Sequence, residues 1–123
     1  MGLSQGRGHD EEGANAEFLL GIARDESEDM KLRSRALYWL GHMQSLEHDI
    51  YAMYDQVSET ELKNQLISVY GQRGRRDSLA VDKIIEIVRN ETDQELKSQA
   101  IFWLGQTGDA RAAEVLREII NRD

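Results

Sequence analysis

The 123-residue chain contains no cysteine and no proline. Without cysteine it has neither a disulfide framework nor thiolate chemistry. Without proline its helices need no interruption, although this absence alone does not identify a fold. No stretch approaches the roughly 20 apolar residues that cross a bilayer, and residues 1–13 lack the basic and apolar segments of a signal peptide. We therefore expect no membrane association and, by default, a cytoplasmic location.

Basic residues are also scarce relative to acidic ones. The chain has 15 lysines and arginines against 23 aspartates and glutamates, which gives a formal net charge of −8. Nucleic-acid binding draws much of its affinity from basic side chains that neutralise phosphates. The tight basic cluster Arg73, Arg75 and Arg76 falls in a predicted loop and is more typical of a solvated surface than of a phosphate site. We expect that nucleic acid is not the partner.

Motifs that carry catalysis are missing as well. The three histidines, His9, His42 and His48, are scattered along the chain without the spacing of metal ligands. Neither a serine nucleophile elbow nor a phosphate-binding loop is present in the sequence. We therefore predict no cofactor, no metal and no enzymatic activity.

The chain does contain one ten-residue motif in three copies. Leu32–Gly41, Leu62–Gly71 and Leu96–Gly105 read LRSRALYWLG, LKNQLISVYG and LKSQAIFWLG, and their final glycines lie 30 and 34 positions apart. A period in this range is typical of stacked helical repeats. Each copy has apolar residues at i, i+4, i+7 and i+8, which is the spacing of one helix face. Each closing glycine predicts a helix end or a close helix crossing.

Four further amphipathic segments alternate with the motif copies, and no segment shows the extended period-two alternation of a strand. These segments are Ala14–Arg24, Glu47–Gln56, Ser78–Asn90 and Ala110–Arg122. Seven helices are therefore predicted. Their expected N-terminal caps are Ser27, the capping boxes Ser58–Glu61 and Thr92–Glu95, and the aspartates Asp77 and Asp109.

The last third of the chain contains the third motif copy, then Gly108 and Asp109, and then the segment Ala110–Arg122. This order of elements resembles a bacterial HEAT repeat of the short type, similar to the repeats of phycobilin lyases. A second helix in that family reads roughly D-x-x-L-R-x-x-A-x-x-x-L-G, followed by G-D-x-R-A and A-x-x-x-L. Gln94 and Ala110 stand where family members often carry proline. In TDQELKSQAIFWLGQTGDARAAEVLREII, residues 92–120, the matching positions are Asp93, Leu96, Lys97, Ala100, Leu104, Gly105, Gly108, Asp109, Arg111, Ala112 and Leu116.

The repeats and this resemblance predict an all-α fold, a right-handed α-solenoid of about 3.5 HEAT-like helix pairs. Residues 14–123 would form the repeat domain, as part of a longer array, and residues 1–13 a flexible lead-in or a cloning remnant. Ala36 and Ala100 are expected where neighbouring helices approach closely. The segment Ala110–Arg122 keeps more apolar residues than one buried stripe needs, so self-association through an open array end is also expected.

The resemblance implies that the motif helices line a concave surface that binds a protein or peptide. Tyr38 and Phe102 would be aromatic anchors on this surface, and the alternative is that both rings cover neighbouring helices or the missing next repeat. A second class of function is an enzyme or enzyme accessory on the same solenoid, either bilin-lyase-like or acting on nucleic acid. The predicted binding residues, here called the polar strip, are Arg35, Tyr38, His42, Gln65, Ser68, Gln99, Phe102 and Gln106.

Overall fold

The computed structural model describes the backbone of residues 8–43 and 49–122, which form seven α-helices and no strand. The all-α prediction is confirmed for these residues. The first helix begins at Gly8 rather than at Ala14, so residues 8–13 are helical instead of a loose lead-in. Residues 1–7, and Glu47 at the expected start of the third helix, lie outside the described residues. The helices are α1 (Gly8–Arg24), α2 (Met30–Gly41), α3 (Asp49–Gln56), α4 (Thr60–Arg73), α5 (Ser78–Asn90), α6 (Gln94–Gln106) and α7 (Ala110–Arg122).

The three motif helices lie side by side, with α4 in the middle and in contact with both α2 and α6. Helix α1 packs on α2, α5 packs against both α4 and α6, and α7 contacts α6. Helices α3 and α5 also contact each other, which makes a second layer behind the motif helices. The apolar stripes of the two layers face each other and form one core.

The helix starts use aspartates rather than the predicted hydroxyl caps. The carboxylate of Asp93 accepts hydrogen bonds from the backbone N–H groups of Glu95 (2.9 Å) and Leu96 (3.1 Å), and Asp29 accepts from Lys31 (3.1 Å). The capping box Thr92–Glu95 is therefore wrong. Asp93 lies one residue closer to the helix, and a carboxylate also interacts favourably with the positive end of the helix dipole.

Two other cap predictions also fail, and two hold. Helix α4 follows Glu59, which makes no side-chain cap bond, so the box Ser58–Glu61 is wrong. Ser27 does not cap α2, because its amide and hydroxyl donate to Asp25 instead. Asp77 is the N-cap of α5, as predicted, and accepts from the amide of Leu79. Asp109, immediately before α7, accepts from the amide of Arg111 at 2.8 Å.

Three buried basic side chains tie helices together. Arg33 is 2% exposed; its Nε donates to the carbonyl of Ala23 (2.9 Å) at the end of α1, and its Nη1 to Glu59 (3.2 Å) before α4. Lys83 on α5 is also buried and donates to Asp55 on α3 at 2.7 Å. A buried charge is stable only with such partners, so these side chains fix the spacing of their helices.

The third buried cation changes the interpretation of the predicted basic cluster. Arg73 lies inside α4 rather than in a loop, and it is buried. Its guanidinium donates to the Tyr51 hydroxyl (3.3 Å) and to the Met43 carbonyl (2.5 Å). Arg75 and Arg76 remain exposed. The three residues therefore do not form one exposed basic patch.

Two of the three motif glycines, Gly41 and Gly71, lie at close helix crossings, as predicted. A Cβ added to Gly41 would lie 3.1 Å from a methyl of Val69, and one added to Gly71 would lie 2.5 Å from Cδ2 of the Trp103 ring. Among the described residues, no neighbouring helix comes within 4 Å of a Cβ added to Gly105. The prediction of a helix end holds for Gly41 alone, because α4 and α6 continue past their glycines. The predicted burial of Ala36 and Ala100 is confirmed.

Candidate functional site

An open groove of about 340 Å³ crosses the outer face of the three motif helices. It begins at α2, runs over α4 and ends at α6. We call it the central groove. Its lining residues are Ser34, Glu61, Asn64, Gln65, Ser68, Gln99 and Trp103.

The central groove is polar along most of its length, and its hydrogen-bonding groups are only partly used. The Ser34 hydroxyl oxygen is buried and has no partner among the described residues. On α4, Ser68 Oγ donates to the Gln65 carbonyl (2.8 Å), and the Gln65 amide nitrogen donates to Ser68 Oγ (3.3 Å). Buried polar atoms are nearly always hydrogen-bonded in proteins. The Ser34 oxygen is therefore an unsatisfied polar atom beneath the groove surface, whereas the side-chain amide of Gln99 is exposed to solvent.

The structure brings some members of the polar strip together and leaves others apart. Gln65, Ser68 and Gln99 line the central groove. The other five lie outside its lining, all of them exposed: Arg35, Tyr38 and His42 on or after α2, and Phe102 and Gln106 on α6. The strip is thus a groove with an exposed group of side chains at each end.

The two predicted anchors are both solvent-accessible. Tyr38 is 45% exposed and Phe102 is 56% exposed. The centroid of the Tyr38 ring lies 4.6 Å from that of His42, and the Phe102 centroid lies 5.4 Å from that of Trp103, so each ring leans on a neighbour from its own helix. Both rings are therefore only partly covered by the described residues.

One residue of the central groove, Trp103, was not expected there from the sequence. Ser34, Glu61 and Asn64 belong to the same polar face as the strip, so their presence follows from helical spacing. Trp103 was assigned to the buried stripe, yet it is half-buried and forms the α6 wall. The signal was Gly71, because a glycine at a helix crossing lets a large ring lie against the backbone and reach across it.

A larger groove, of about 460 Å³, lies on the opposite layer between α5 and α7. Both arginines that line it already form ion pairs. Arg111 binds Asp82 at 2.5 Å, and Arg89 binds Glu118 at 3.2 Å. Size alone would favour this groove, but its ion pairs would have to be broken to engage a ligand. The central groove is the better candidate because its polar groups are less committed.

The perturbed ionisable groups lie at helix junctions and not in the central groove. Burial, with a hydrogen bond to Asp77, raises the pKa of Tyr51 to about 12. Burial also raises the pKa of Tyr54 well above its ordinary value, helped by its hydrogen bond to Glu91. These tyrosines of α3 contact residues at the two ends of α5, Asp77 before it and Glu91 after it. Their shifts reflect packing.

None of the helices in residues 8–43 and 49–122 is long and apolar enough to span a bilayer. Within the same residues, no group of three or more histidine, aspartate or glutamate side chains is placed to hold a metal ion.

Comparison with known proteins gives one match. Residues 96–122 match the family model of the PBS lyase HEAT-like repeat. No curated protein and no solved structure matches the chain. The matched residues cover most of α6 and all of α7, where the motif glycine, the Gly108–Asp109 turn and the following helix lie. This part of the chain is therefore similar to a HEAT-like repeat.

Proposed function

We propose that this protein is an interaction module that binds an extended segment of a partner protein along the central groove. HEAT-like repeats form helical modules that are often used for protein interaction. The observation that carries the proposal is the groove itself, which presents the side-chain amides of Gln65 and Gln99 on the neighbouring motif helices α4 and α6.

The groove chemistry suits a peptide backbone. A glutamine amide both donates and accepts, so Gln65 and Gln99 complement the N–H and C=O groups of an extended chain. Tyr38 beyond one end and Phe102 at the other would hold apolar side chains of the segment. Tyrosine, tryptophan and arginine dominate the energetics of interfaces, which favours Tyr38 and the neighbouring Arg35 as the main anchors.

Charge indicates the character of the partner. The chain carries a net charge of −8, and Glu61 lines the groove. A partner segment with basic residues would therefore be attracted, with the larger effect on the association rate. The exposed Arg35 lies on α2 at one end of the strip, so an acidic residue of the segment would face α2.

The proposal includes the overall architecture that such a surface requires. We infer that the seven helices form a right-handed solenoid of about 3.5 helix pairs, with α2, α4 and α6 on its concave side. The side-by-side packing of these helices supports this arrangement. A crystal structure would decide its handedness.

Selection of peptides from a displayed random library tests the function. A selected peptide should bind the chain at least ~10-fold more weakly after Gln99→Ala, and about 30-fold more weakly after Tyr38→Ala, as expected for a hot spot of about 2 kcal/mol. Gln56→Ala is the matched control, because Gln56 is an exposed glutamine at the end of α3. Equal binding by the Gln99, Tyr38 and Gln56 variants would exclude the groove.

A further inference from the structure

The motif helices pack by one rule that the chain uses twice. Val69 of α4 lies against Gly41 of α2, and Trp103 of α6 lies against Gly71 of α4. Val69 and Trp103 occupy the same motif position, two residues before the glycine of their own helix. A large side chain of each motif helix thus fills the space beside the glycine of the helix before it.

Helix α6 offers the same space with nothing in it. A Cβ on Gly105 would have no atom within 4 Å, although the equivalent glycines are tightly covered. Ile101, one turn earlier on this face, is half-buried, whereas its counterparts Leu37 and Ile67 are fully buried. The face of α6 that would meet a following motif helix is therefore open.

Helix α7 leaves a matching stripe open. On α5 the residues Ile84, Ile87 and Val88 are buried, and α6 packs against this helix. The corresponding stripe of α7 is Leu116 and Ile119, both half-buried, and Ile120, which is 73% exposed. The neighbouring helices α6 and α7 thus each present apolar side chains that the described residues leave partly uncovered.

We propose that the α6–α7 face binds an amphipathic helix of a partner protein, which packs as α6 packs on α4 and α5. Such helix-in-groove binding reads apolar anchors spaced by one helical turn. The internal junctions specify its anchor: a tryptophan or a β-branched residue that lies on Gly105. This site is separate from the central groove and does not depend on the function proposed there.

Charge further defines the helix. Glu61 of α4 and Gln99 of α6 line one groove across the second junction. The residue equivalent to Glu61 is Glu95 of α6, which is exposed. The partner residue at the position of Gln99, four before the anchor, would therefore face a carboxylate. A basic residue there complements the site, and helix α2 carries this combination in Arg35 and Trp39.

A labelled synthetic peptide of residues 29–42 is therefore the probe, because it carries an arginine four residues before a tryptophan. Fluorescence anisotropy should show saturable binding to the intact chain. A second peptide with Trp39→Ala should bind at least ~10-fold more weakly, since the anchor supplies most of the contact area. Raised salt should also weaken binding, because the expected ion pair between Arg35 of the peptide and Glu95 of the chain would be exposed to solvent.

Gly105→Leu in the chain should block the probe, with affinity reduced ~10-fold or more, because leucine would occupy the space of the anchor. Gly21→Leu is the matched control: Gly21 is a helical glycine of α1 that also has no atom within 4 Å of an added Cβ. Tyr38→Ala should leave this binding unchanged, which separates it from the groove function.

Three results would overturn the proposal. The first is no binding up to about 1 mM peptide, and the second is equal binding by the Gly105→Leu and Gly21→Leu chains. The third is a concentration-dependent oligomer of the chain alone that Gly105→Leu abolishes, because the occupant would then be a second copy.

Discussion

Three glycines at one motif position have different surroundings, so the same substitution should have different effects. Gly71→Ala places a methyl group against the Trp103 ring and should lower the free energy of unfolding by about 1–3 kcal/mol. Gly105→Ala meets no neighbour and should raise it by up to about 1 kcal/mol, because alanine favours a helix over glycine. Urea denaturation of both variants at low protein concentration measures the difference. Equal changes would mean that Trp103 does not lie on Gly71.

Three tyrosine hydroxyls, those of Tyr51, Tyr54 and Tyr70, have raised pKa values and should make the protein sensitive to alkali. Burial raises the pKa of Tyr51 to about 12 and that of Tyr54 further above its ordinary value. A raised pKa in the folded state means that folding favours the neutral hydroxyl. The contribution of these hydroxyls to the free energy of unfolding is therefore complete below about pH 10 and is lost as the pH rises beyond it. The urea midpoint should therefore fall between about pH 10 and pH 12. The urea midpoint of the Tyr54→Phe variant should fall less steeply with pH. A dependence on pH as steep as the parent's would show that Tyr54 is already free to ionise.

Between helices, Arg33 connects three elements that are not held together by apolar contacts alone. Arg33→Met keeps most of the side-chain volume but leaves the Ala23 carbonyl and Glu59 without their donor. We expect a loss of about 2 kcal/mol in the free energy of unfolding, since hydrogen bonds to charged groups contribute about 1.5–3 kcal/mol.

Glu59→Gln is the control for this substitution. It removes the charge of the partner while keeping an acceptor, and Glu59 is partly exposed. Its effect should be the smaller of the two. If both variants melt at the parent temperature, Arg33 does not join α1 to α2 and α4.

The number, order and type of the helices could be predicted from the sequence, because apolar periodicity extends through every segment. The starts of the helices were harder. Asp93 and Thr92 are adjacent potential caps, and only the backbone path decides which one points at the free amides. The start of α1 at Gly8 also escaped prediction, because its first residues lack an apolar stripe and include two glycines.

Long-range partners account for most of the remaining errors. Arg73 is as basic as its exposed neighbours Arg75 and Arg76, and only the distant Tyr51 and Met43 show why it is buried. The polar strip followed from spacing within each helix. The division of the strip into a groove and two exposed ends depends on how the helices pack against one another. The spacing of residues within a single helix does not contain that information.

For the molecule as a whole, stability should decrease from the middle of the stack toward α7. Helix α4 is covered on both sides, whereas α7 keeps Ile120 largely exposed. Repeat arrays are stabilised mainly by contacts between neighbours, so the outer helix opens more readily. Hydrogen exchange followed by mass spectrometry should show the slowest amides in α4 and faster ones in α7. Uniform protection of both helices would indicate a single cooperative unit.

The packing of Trp103 on Gly71 also makes the two tryptophans of the chain unequal spectroscopic reporters. Trp39 occupies the same motif position but is 54% exposed, so its emission should be red-shifted and readily quenched by iodide. Trp103 is half-buried against α4, and its emission should be blue-shifted until α4 and α6 separate. Replacing Trp39 by phenylalanine would leave Trp103, at this junction, as the single tryptophan of the chain. Stopped-flow fluorescence of that variant would then time the opening of a single helix pair without an added dye.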